Sequence, residues 1–164
     1  MASVIPTIRF ANLVKSLLHN TGVLIVGFAF GLAGVSIDSL LGFRQFESLF
    51  TTTAAWLLLA LGFLLRVWAT VQFYERHMKV ISLVPQKRLI TSGAYRFSRN
   101  PLYLGGNVFI FLGAVLFFGS PSGIVLTAIN ILLVDFMIQR EERQLEQEFG
   151  ADWVRYKSQV RRWI

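Results

Sequence analysis

Residues 102–138 of the chain read LYLGGNVFIFLGAVLFFGSPSGIVLTAINILLVDFMI, and their pattern of apolar residues and turn formers sets the architecture. Two apolar runs, 102–118 and 124–138, are separated by the five residues GSPSG. Glycine and proline end helices, and so short a segment is enough for a tight reversal of the chain. We therefore expect a hairpin of two antiparallel helices. One long kinked helix is the alternative, which the clustering of two glycines and a proline disfavours.

Two further apolar runs, 21–37 and 54–74, precede the hairpin. The four runs have between 15 and 21 residues, close to the length that a helix needs to cross a hydrocarbon core of about 30 Å. In lipid the backbone must satisfy its own hydrogen bonds, so we expect helices. With 54% apolar and 15% charged residues and a mean hydropathy of +0.57, the composition excludes an ordinary soluble domain. We predict an all-α membrane protein of about four transmembrane helices, forming a single domain over residues 1–164.

Composition also excludes several kinds of site. The chain has no cysteine, which excludes disulfides, thiolate metal sites, iron–sulfur clusters and cysteine nucleophiles. Its two histidines, His19 and His77, have no metal-ligand spacing around them, so we expect no metal site. The net charge of +7 does not indicate nucleic-acid binding, because its distribution along the chain is that of a membrane protein.

The basic residues are distributed asymmetrically. Of the 16 Lys and Arg residues, all but Arg44 and Arg66 lie before the first run, between the second and third runs, or after the fourth. Four crossings place these segments on one side of the membrane, and the positive-inside rule makes that side cytoplasmic. We therefore expect an integral membrane protein with both termini in the cytosol, located in a bacterial inner membrane. We expect the first run to be a retained anchor, because no clear Ala-x-Ala cleavage site follows it.

Ionisable residues inside apolar runs cost roughly 3 kcal/mol each on insertion scales, so they usually face partners or cavities. Arg66 lies in the middle of the second run and Asp135 near the end of the fourth. Asp135, Gln139, Glu142 and Glu146 follow spacings of 4, 3 and 4, which place them on one helix face. We expect Arg66 to lie within ion-pair reach of Asp135 or Glu142. A purely structural salt bridge and a polar cavity open to the cytosol both remain possible.

The segment before the third run reads LVPQKRLITSGAYRFSRNPLYLGG (83–106) and combines basic, aromatic and turn-forming residues. Asn100 followed by Pro101 predicts a helix start, with asparagine as the cap and proline in the first turn. Helix N-termini attract anions, and Arg99 adds a fixed positive charge there. The glycines at 105–106 let another helix or a flat ligand approach closely. An anion site and an ordinary positive-inside loop with a capped helix both fit these residues.

The run GAYRFSRNPLYLG at 93–105 resembles the G-x-Y-R-x-x-R-[HN]-P-x-Y-x-G motif of the integral-membrane methyltransferases, the group of isoprenylcysteine carboxyl methyltransferases and phospholipid N-methyltransferases. EERQL at 141–145 resembles the E-E-x-x-L motif of that group, and FGADWVRY at 149–156 resembles its F-G-x-x-[YW]-x-x-Y tail. The resemblance covers residues 57–164, whereas residues 1–56 match no motif. The first motif has Asn where many members have His, which excludes a role that needs an imidazole there.

The resemblance implies S-adenosylmethionine as methyl donor, in a pocket at the cytoplasmic face. The implied cofactor-binding residues are Tyr95, Arg99, Asn100, Pro101, Tyr103, Glu141 and Glu142, with Arg99 and Glu142 as the catalytic candidates. The hairpin agrees with this, because it returns residues 139–145 to the membrane face that holds residues 99–103. Arg99 at a helix N-terminus suits the carboxylate of the donor, and Glu141 or Glu142 suits its ribose hydroxyls or ammonium.

Within the group, we expect an enzyme similar to isoprenylcysteine carboxyl methyltransferase, which takes a lipophilic or prenylated acceptor from the bilayer and contacts membrane lipids. A phospholipid N-methyltransferase is the alternative. A carboxylate acceptor needs no base, whereas an amine must lose a proton, for which Glu142 or Asp135 is available. Outside the group, the rival is a non-catalytic scaffold or lipid-binding protein. A nicotinamide-dependent reductase is disfavoured by the short basic loop.

Overall fold

The computed structural model describes residues 9–80 and 88–164 of the chain. We number its four long helices α1 Phe10–Leu41, α2 Leu49–Glu75, α3 Pro101–Phe118 and α4 Pro121–Phe149. A short helix α5, Ala151–Gln159, follows α4, and a 3₁₀ turn, Gly93–Arg96, precedes α3. The first part of the basic segment, residues 83–87, lies outside the described residues.

The predicted fold class is confirmed. The regular structure of residues 9–80 and 88–164 is helical throughout, and four helices are long and apolar enough to cross a membrane. Each of the four contains one predicted apolar run. Helix α4 has 29 residues, so its length of roughly 44 Å exceeds the hydrocarbon core of about 30 Å. Its polar second half therefore continues as helix beyond the apolar layer.

The reversal between α3 and α4 is also confirmed. Gly119 ends α3 with φ at 60°, a left-handed conformation that favours glycine. A side chain at residue 119 would collide with the carbonyl of Phe46. The backbone N–H of Phe46 donates to the carbonyl of Gly119 at 2.9 Å. Ser120 caps α4 by accepting from the N–H of Gly123 at 3.0 Å, and Pro121 occupies the first turn. Gly119, Ser120 and Pro121 thus form the turn, and the backbone of Phe46 packs against it.

Helices α2 and α3 approach closely because each carries a glycine at the crossing. A Cβ on Gly62 would lie 2.6 Å from the carbonyl oxygen of Gly105, and a Cβ on Gly105 would lie 2.8 Å from that of Gly62. Small residues allow such backbone contact between membrane helices, whose association gains little from the hydrophobic effect in lipid. Of the two roles expected for the glycines at 105–106, the structure shows the close approach of another helix.

Helix α1 is held against the start of α4 by a buried carboxylate. Asp38 accepts hydrogen bonds from the hydroxyl of Ser120 at 2.5 Å and from the N–H of Ser122 at 2.9 Å. One turn earlier, Gly34 lies so close to α4 that a Cβ would be 2.8 Å from the Cα of Gly123. Because a carboxylate is favourable at a helix N-terminus, Asp38 completes the cap of α4 from a neighbouring helix.

The three basic segments meet at one end of the bundle, which we call the basic end. At the start of α1, the N–H of Arg9 and the amide of Asn12 donate to Glu75 at the end of α2, at 3.1 and 2.9 Å. Before α3, the N–H of Arg99 donates to the carbonyl of Arg161 in the C-terminal segment at 3.0 Å. An even number of helix crossings produces this arrangement.

Helix α5 closes the basic end. Its Trp153 and Tyr156 pack in one apolar cluster with Phe73 of α2 and Tyr95 of the 3₁₀ turn. The hydroxyl of Tyr156 donates to the carbonyl oxygen of Tyr95 at 2.7 Å. This cluster forms one wall of the space between the helix ends.

The α2–α3 contact is tested by Gly62→Ala. The added Cβ meets backbone atoms, which cannot move aside as a side chain can, so we expect the detergent-purified variant to lose about 1–3 kcal/mol of stability and to melt at a lower temperature. Gly22→Ala in α1 is the control, because nothing lies within 4 Å of a Cβ there. Alanine also favours helix over glycine, so the control should melt at the parent temperature or above it. Equal melting temperatures for the two variants would contradict the close approach.

Candidate functional site

A cavity of about 500 Å³ lies among the helix ends at the basic end of the bundle. Side chains from all five helices and from the segment before α3 line it. Its polar lining includes His19, Arg66, Arg88, Asn100, Tyr103 and Glu141. Its apolar lining includes Val23, Phe73, Leu102, Met137, Leu145 and Trp153. The volume is in the range of small-molecule sites, about 300–1,000 Å³.

Most of the site residues predicted from the sequence line this cavity. They are Tyr95, Arg99, Asn100, Tyr103 and Glu141. The hydroxyl of Tyr103 donates to Oε1 of Glu141 at 2.6 Å, which joins α3 to α4 at the cavity wall. Two predicted residues lie outside the lining: Pro101 is buried at the first residue of α3, and Glu142 faces Arg99.

Glu142 lies in an ion network beside the cavity. Its Oε1 accepts from Nη2 of Arg99 at 2.8 Å, and its Oε2 accepts from Nη2 of Arg162 at 2.9 Å. The side chains of Arg99 and Glu142 are only 8% and 7% exposed. Nη1 of Arg162 also donates to Asp135 at 3.2 Å. Buried charges are tolerated when paired in this way, and removal of one partner is strongly destabilising.

Arg162 is a residue of this ion network that sequence reasoning missed. It counted only as one of several C-terminal basic residues, and nothing in its spacing separates it from Arg161. Hydrogen bonds to the Glu142 carboxylate raise the pKa of the Arg162 guanidinium, which keeps it charged. An indirect signal was present, since the carboxylates of Asp135 and Glu142 share one helix face and need a cation.

The partner predicted for Arg66 is wrong. Arg66 makes no ion pair with Asp135 or Glu142, because the arginines of the network neutralise both carboxylates. Instead, Nε of Arg66 donates to Oδ1 of Asn20 at 2.8 Å, and its Nη1 donates to the carbonyl of Leu102 at 2.6 Å. Arg66 is 8% exposed and lines the cavity, so it does not face lipid.

Helix α3 begins at Pro101 as predicted, but the side chain of Asn100 does not cap it. Nδ2 of Asn100 donates to the carbonyl of Arg162 at 3.2 Å, and the hydroxyl of Ser98 donates to the same carbonyl at 3.1 Å. The N–H of Asn100 donates to Ser98 Oγ at 3.1 Å. The side-chain amide of Asn100, which we expected to cap α3, therefore bonds to the C-terminal segment instead.

Arg99 is fully engaged within the chain. Its Nε and Nη2 donate to Oε1 of Glu142, and its Nη1 donates to the carbonyls of Lys157 and Val160 at 3.1 and 2.8 Å. The guanidinium also lies 5.7 Å from the ring centroid of Trp153. All three nitrogens thus hold α4, α5 and the C-terminal segment around the start of α3.

Aromatic side chains form the wall of the cavity next to α5. Burial raises the pKa of the Tyr95 and Tyr156 phenols, so both stay protonated. Trp153 is 2% exposed and lines the cavity, yet its indole N–H has no hydrogen-bond partner among residues 9–80 and 88–164. A buried indole N–H usually has one. An acceptor atom of a bound ligand would satisfy it.

Part of α3, Leu104–Ile110, is a π-helix, which sequence reasoning did not predict. Such wide turns occur frequently at functional sites. The glycines at 105–106 were the available signal. The wide turn lies against Arg66, because a Cβ on Gly106 would be 2.7 Å from Nη1 of Arg66. The next residue, Asn107, lines the cavity.

The cavity chemistry fits a nucleoside with an amino-acid tail. The Glu141 carboxylate can accept hydrogen bonds from hydroxyls or an ammonium, and Arg66 offers a positive charge. The rings of Tyr95 and Trp153 offer flat aromatic surface, and the unpartnered indole N–H offers a donor. These are the complements of the groups that S-adenosylmethionine carries.

Comparison with known proteins agrees with the resemblance in the motifs. The profile of the phospholipid methyltransferase family matches residues 50–152, from α2 into α5. An uncharacterized protein of Haemophilus influenzae (strain ATCC 51907 / DSM 11121 / KW20 / Rd) is 41% identical over 56 residues, which are 34% of this chain and 89% of that protein. No solved structure matches the chain. Because the profile spans more than half of the chain and includes Tyr103 and Glu141, the chain belongs to the phospholipid methyltransferase family.

Proposed function

We propose that the protein is an enzyme that transfers a methyl group from S-adenosylmethionine to a lipophilic acceptor in the membrane. The observation that carries the proposal is the cavity between two family motifs. Tyr103 belongs to the first motif and Glu141 to the second, and their 2.6 Å hydrogen bond lies at the cavity wall. We also propose that residues 1–164 work as one domain, because α1 contributes His19 and Val23 to the same cavity.

In this proposal Glu141, Asn100 and the aromatic wall would hold the donor. Glu141 would accept hydrogen bonds from the ribose hydroxyls or the ammonium of the donor, and Tyr95 and Trp153 would offer aromatic surface to its base. Arg99 and Glu142 act by position, because their ion pair is occupied within the chain. Pro101 likewise acts by position, starting α3 beside the cavity.

The bound donor supplies a methyl group that its sulfonium already activates. The protein then has to hold acceptor and donor in line and keep water away, effects that contribute several kcal/mol to catalysis. Phe73, Leu102 and Leu145 give the cavity an apolar lining, which would disfavour water beside the reacting groups. Little acid–base chemistry is needed from the side chains.

The state of the carboxylates supports an acceptor that needs no base. Glu142 and Asp135, the bases that the sequence offered for an amine, are paired with arginines. A carboxylate acceptor attacks without losing a proton, so we propose an acceptor of the isoprenylcysteine type. The family's description, phospholipid methyltransferase, favours a second candidate, methylation of a phospholipid amine. Glu141 would then have to accept the proton.

Access from the bilayer is part of the proposal. Met137 of α4 lines the cavity and is 52% exposed, and α4 is one of the helices long and apolar enough to cross a membrane, so we propose that the cavity opens towards the bilayer there. An acceptor with a long apolar chain can therefore reach the cavity sideways while its chain stays in lipid. We propose that the basic end and both termini lie in the cytosol, in agreement with the positive-inside rule, and that the membrane is a bacterial inner membrane.

Transfer of labelled methyl groups tests the reaction. Full-length protein in detergent is incubated with methyl-labelled donor and with a prenylated cysteine, phosphatidylethanolamine or a quinone-like lipid. We expect label in the prenylated cysteine as a methyl ester, which mild base releases as volatile methanol. Base-stable label in phosphatidylethanolamine would select the second candidate. No label in any acceptor, together with no thermal shift at millimolar S-adenosylhomocysteine, would indicate a non-catalytic lipid-binding protein.

Glu141→Gln tests the donor site. The change keeps size but removes the charge of a charge-assisted hydrogen bond, so we expect S-adenosylhomocysteine to bind at least about 10-fold more weakly by calorimetry. Glu47→Gln is the matched control, because Glu47 is exposed in the α1–α2 loop, away from the cavity. Parent-like affinity in Glu141→Gln would remove Glu141 from the proposed donor site.

Arg162→Gln tests the ion network. It leaves Asp135 and Glu142 short of a counterion, so we expect a loss of about 3 kcal/mol in the free energy of unfolding. Arg161→Gln removes the same charge from the neighbouring exposed residue and should leave stability near that of the parent. Arg162→Lys keeps the charge and should restore part of the stability. If thermal denaturation does not separate Arg162→Gln from Arg161→Gln, the network does not hold the site together.

A further inference from the structure

Arg66 is held in a fixed orientation within the apolar part of the bundle. Nε of Arg66 donates to Oδ1 of Asn20 at 2.8 Å, and its Nη1 donates to the carbonyl of Leu102 at 2.6 Å. Asn20 is itself fixed, because its Nδ2 donates to the carbonyl of Ser16 at 2.8 Å and to the hydroxyl of Thr70 at 2.9 Å. The guanidinium therefore has little freedom to turn towards another partner.

The charge of Arg66 has no counterion among residues 9–80 and 88–164. Every ion pair formed there involves other residues, and both acceptors of Arg66 are neutral. Its Nη2 makes no hydrogen bond within the described residues. A cation at this depth is costly unless it is paired. Because Arg66 lines the cavity, an anion in the cavity would pair with it.

A second observation at the same place is independent of this charge. His19 lines the cavity next to α2, and its buried Nε2 has no hydrogen-bond partner in the described part of the chain. The buried indole N–H of Trp153, which also lines the cavity, has no hydrogen-bond partner among the described residues either. Native proteins pair nearly all buried polar atoms, so these atoms indicate a polar ligand.

We infer that Arg66 binds an anionic group, a carboxylate or a phosphate, of the molecule that fills the cavity. The inference rests on the proposed function and adds to it a binding residue outside the family motifs. Arg99, which the sequence assigned to the donor carboxylate, donates from all its nitrogens within the chain. The free edge of a guanidinium suits a carboxylate or phosphate oxygen. The group can come from the donor or from the acceptor.

Binding to Arg66→Gln distinguishes the two sources. Full-length protein in detergent is titrated with S-adenosylhomocysteine and with 5′-methylthioadenosine, which lacks the amino-acid tail. It is also titrated with two pairs that differ in an anionic group: N-acetyl-S-farnesylcysteine with its methyl ester, and phosphatidic acid with diacylglycerol. Arg140→Gln is the control, because Arg140 is exposed and lies over the ring of Phe136 outside the cavity lining.

If the anion belongs to the donor, Arg66→Gln binds S-adenosylhomocysteine at least tenfold more weakly and 5′-methylthioadenosine like the parent. If it belongs to the acceptor, S-adenosylhomocysteine binding is unchanged and the preference for the anionic member of a lipid pair is lost. Both results support the inference. A variant that matches the parent and Arg140→Gln with every probe overturns it. When the parent binds S-adenosylhomocysteine in that case, the proposed function stands and only the role of Arg66 fails.

A measurement on the parent protein covers the case in which Arg66→Gln does not fold. Phenylglyoxal modifies accessible arginines, and peptide mass spectrometry reads the modification of Arg66 alone. We expect the anionic member of each binding pair to slow this modification at least threefold more than its neutral counterpart does. Equal rates with both members of every pair would overturn the inference. Protection by phosphatidic acid in a protein that binds no S-adenosylhomocysteine would support the role of Arg66 while contradicting the proposed function.

Discussion

The pairing of Glu142 with two arginines is the constraint on which the basic end depends. The Glu142 carboxylate lies in the polar half of α4. Arg99 lies two residues before the start of α3, and Arg162 lies in the segment that follows α5. Charges removed from water require partners, so these three parts of the chain have to meet at one point. A buried ion pair adds little net stability over apolar packing, and we infer that its contribution here is to place the walls of the cavity.

Glu141 and Glu142 are neighbours in the sequence with different surroundings. Successive residues of a helix point about 100° apart, so only one of the two can face the cavity. Glu142 shares the face of Asp135 and Gln139, which meets the C-terminal segment, whereas Glu141 meets Tyr103. The spacing of Asp135, Gln139, Glu142 and Glu146 on one helix face already separated Glu142 from Glu141. The motif alone assigned both carboxylates to the cofactor, because a motif records residue types without their direction.

The parts of the structure that follow from local sequence were predictable. The lengths of the apolar runs predicted the four helices, and the glycines and proline around Ser120 predicted the hairpin. The hairpin in turn brings Tyr103 to Glu141. The partner of Arg66 was not predictable, because it depends on how α1 packs, and α1 carries no motif. Charge alone made a carboxylate the obvious partner, but the nearest acceptors are an amide oxygen and a backbone carbonyl. The role of Arg162 required the same knowledge of packing.

The neutrality of Asn20 explains how α1 contributes to a site whose motifs lie elsewhere. An amide oxygen can orient a guanidinium without cancelling its charge, and hydrogen bonds to Ser16 and Thr70 fix that amide in turn. An aspartate at the same place would orient Arg66 equally well. Its negative charge would also cancel the positive charge of Arg66, because the two would form a buried ion pair. The cavity would then have a polar wall with no net attraction for an anion. With asparagine, the cavity lining keeps the positive charge of Arg66 alongside the negative charge of Glu141. In the function proposed above, these two charges would distinguish the two ends of a zwitterionic ligand by electrostatics.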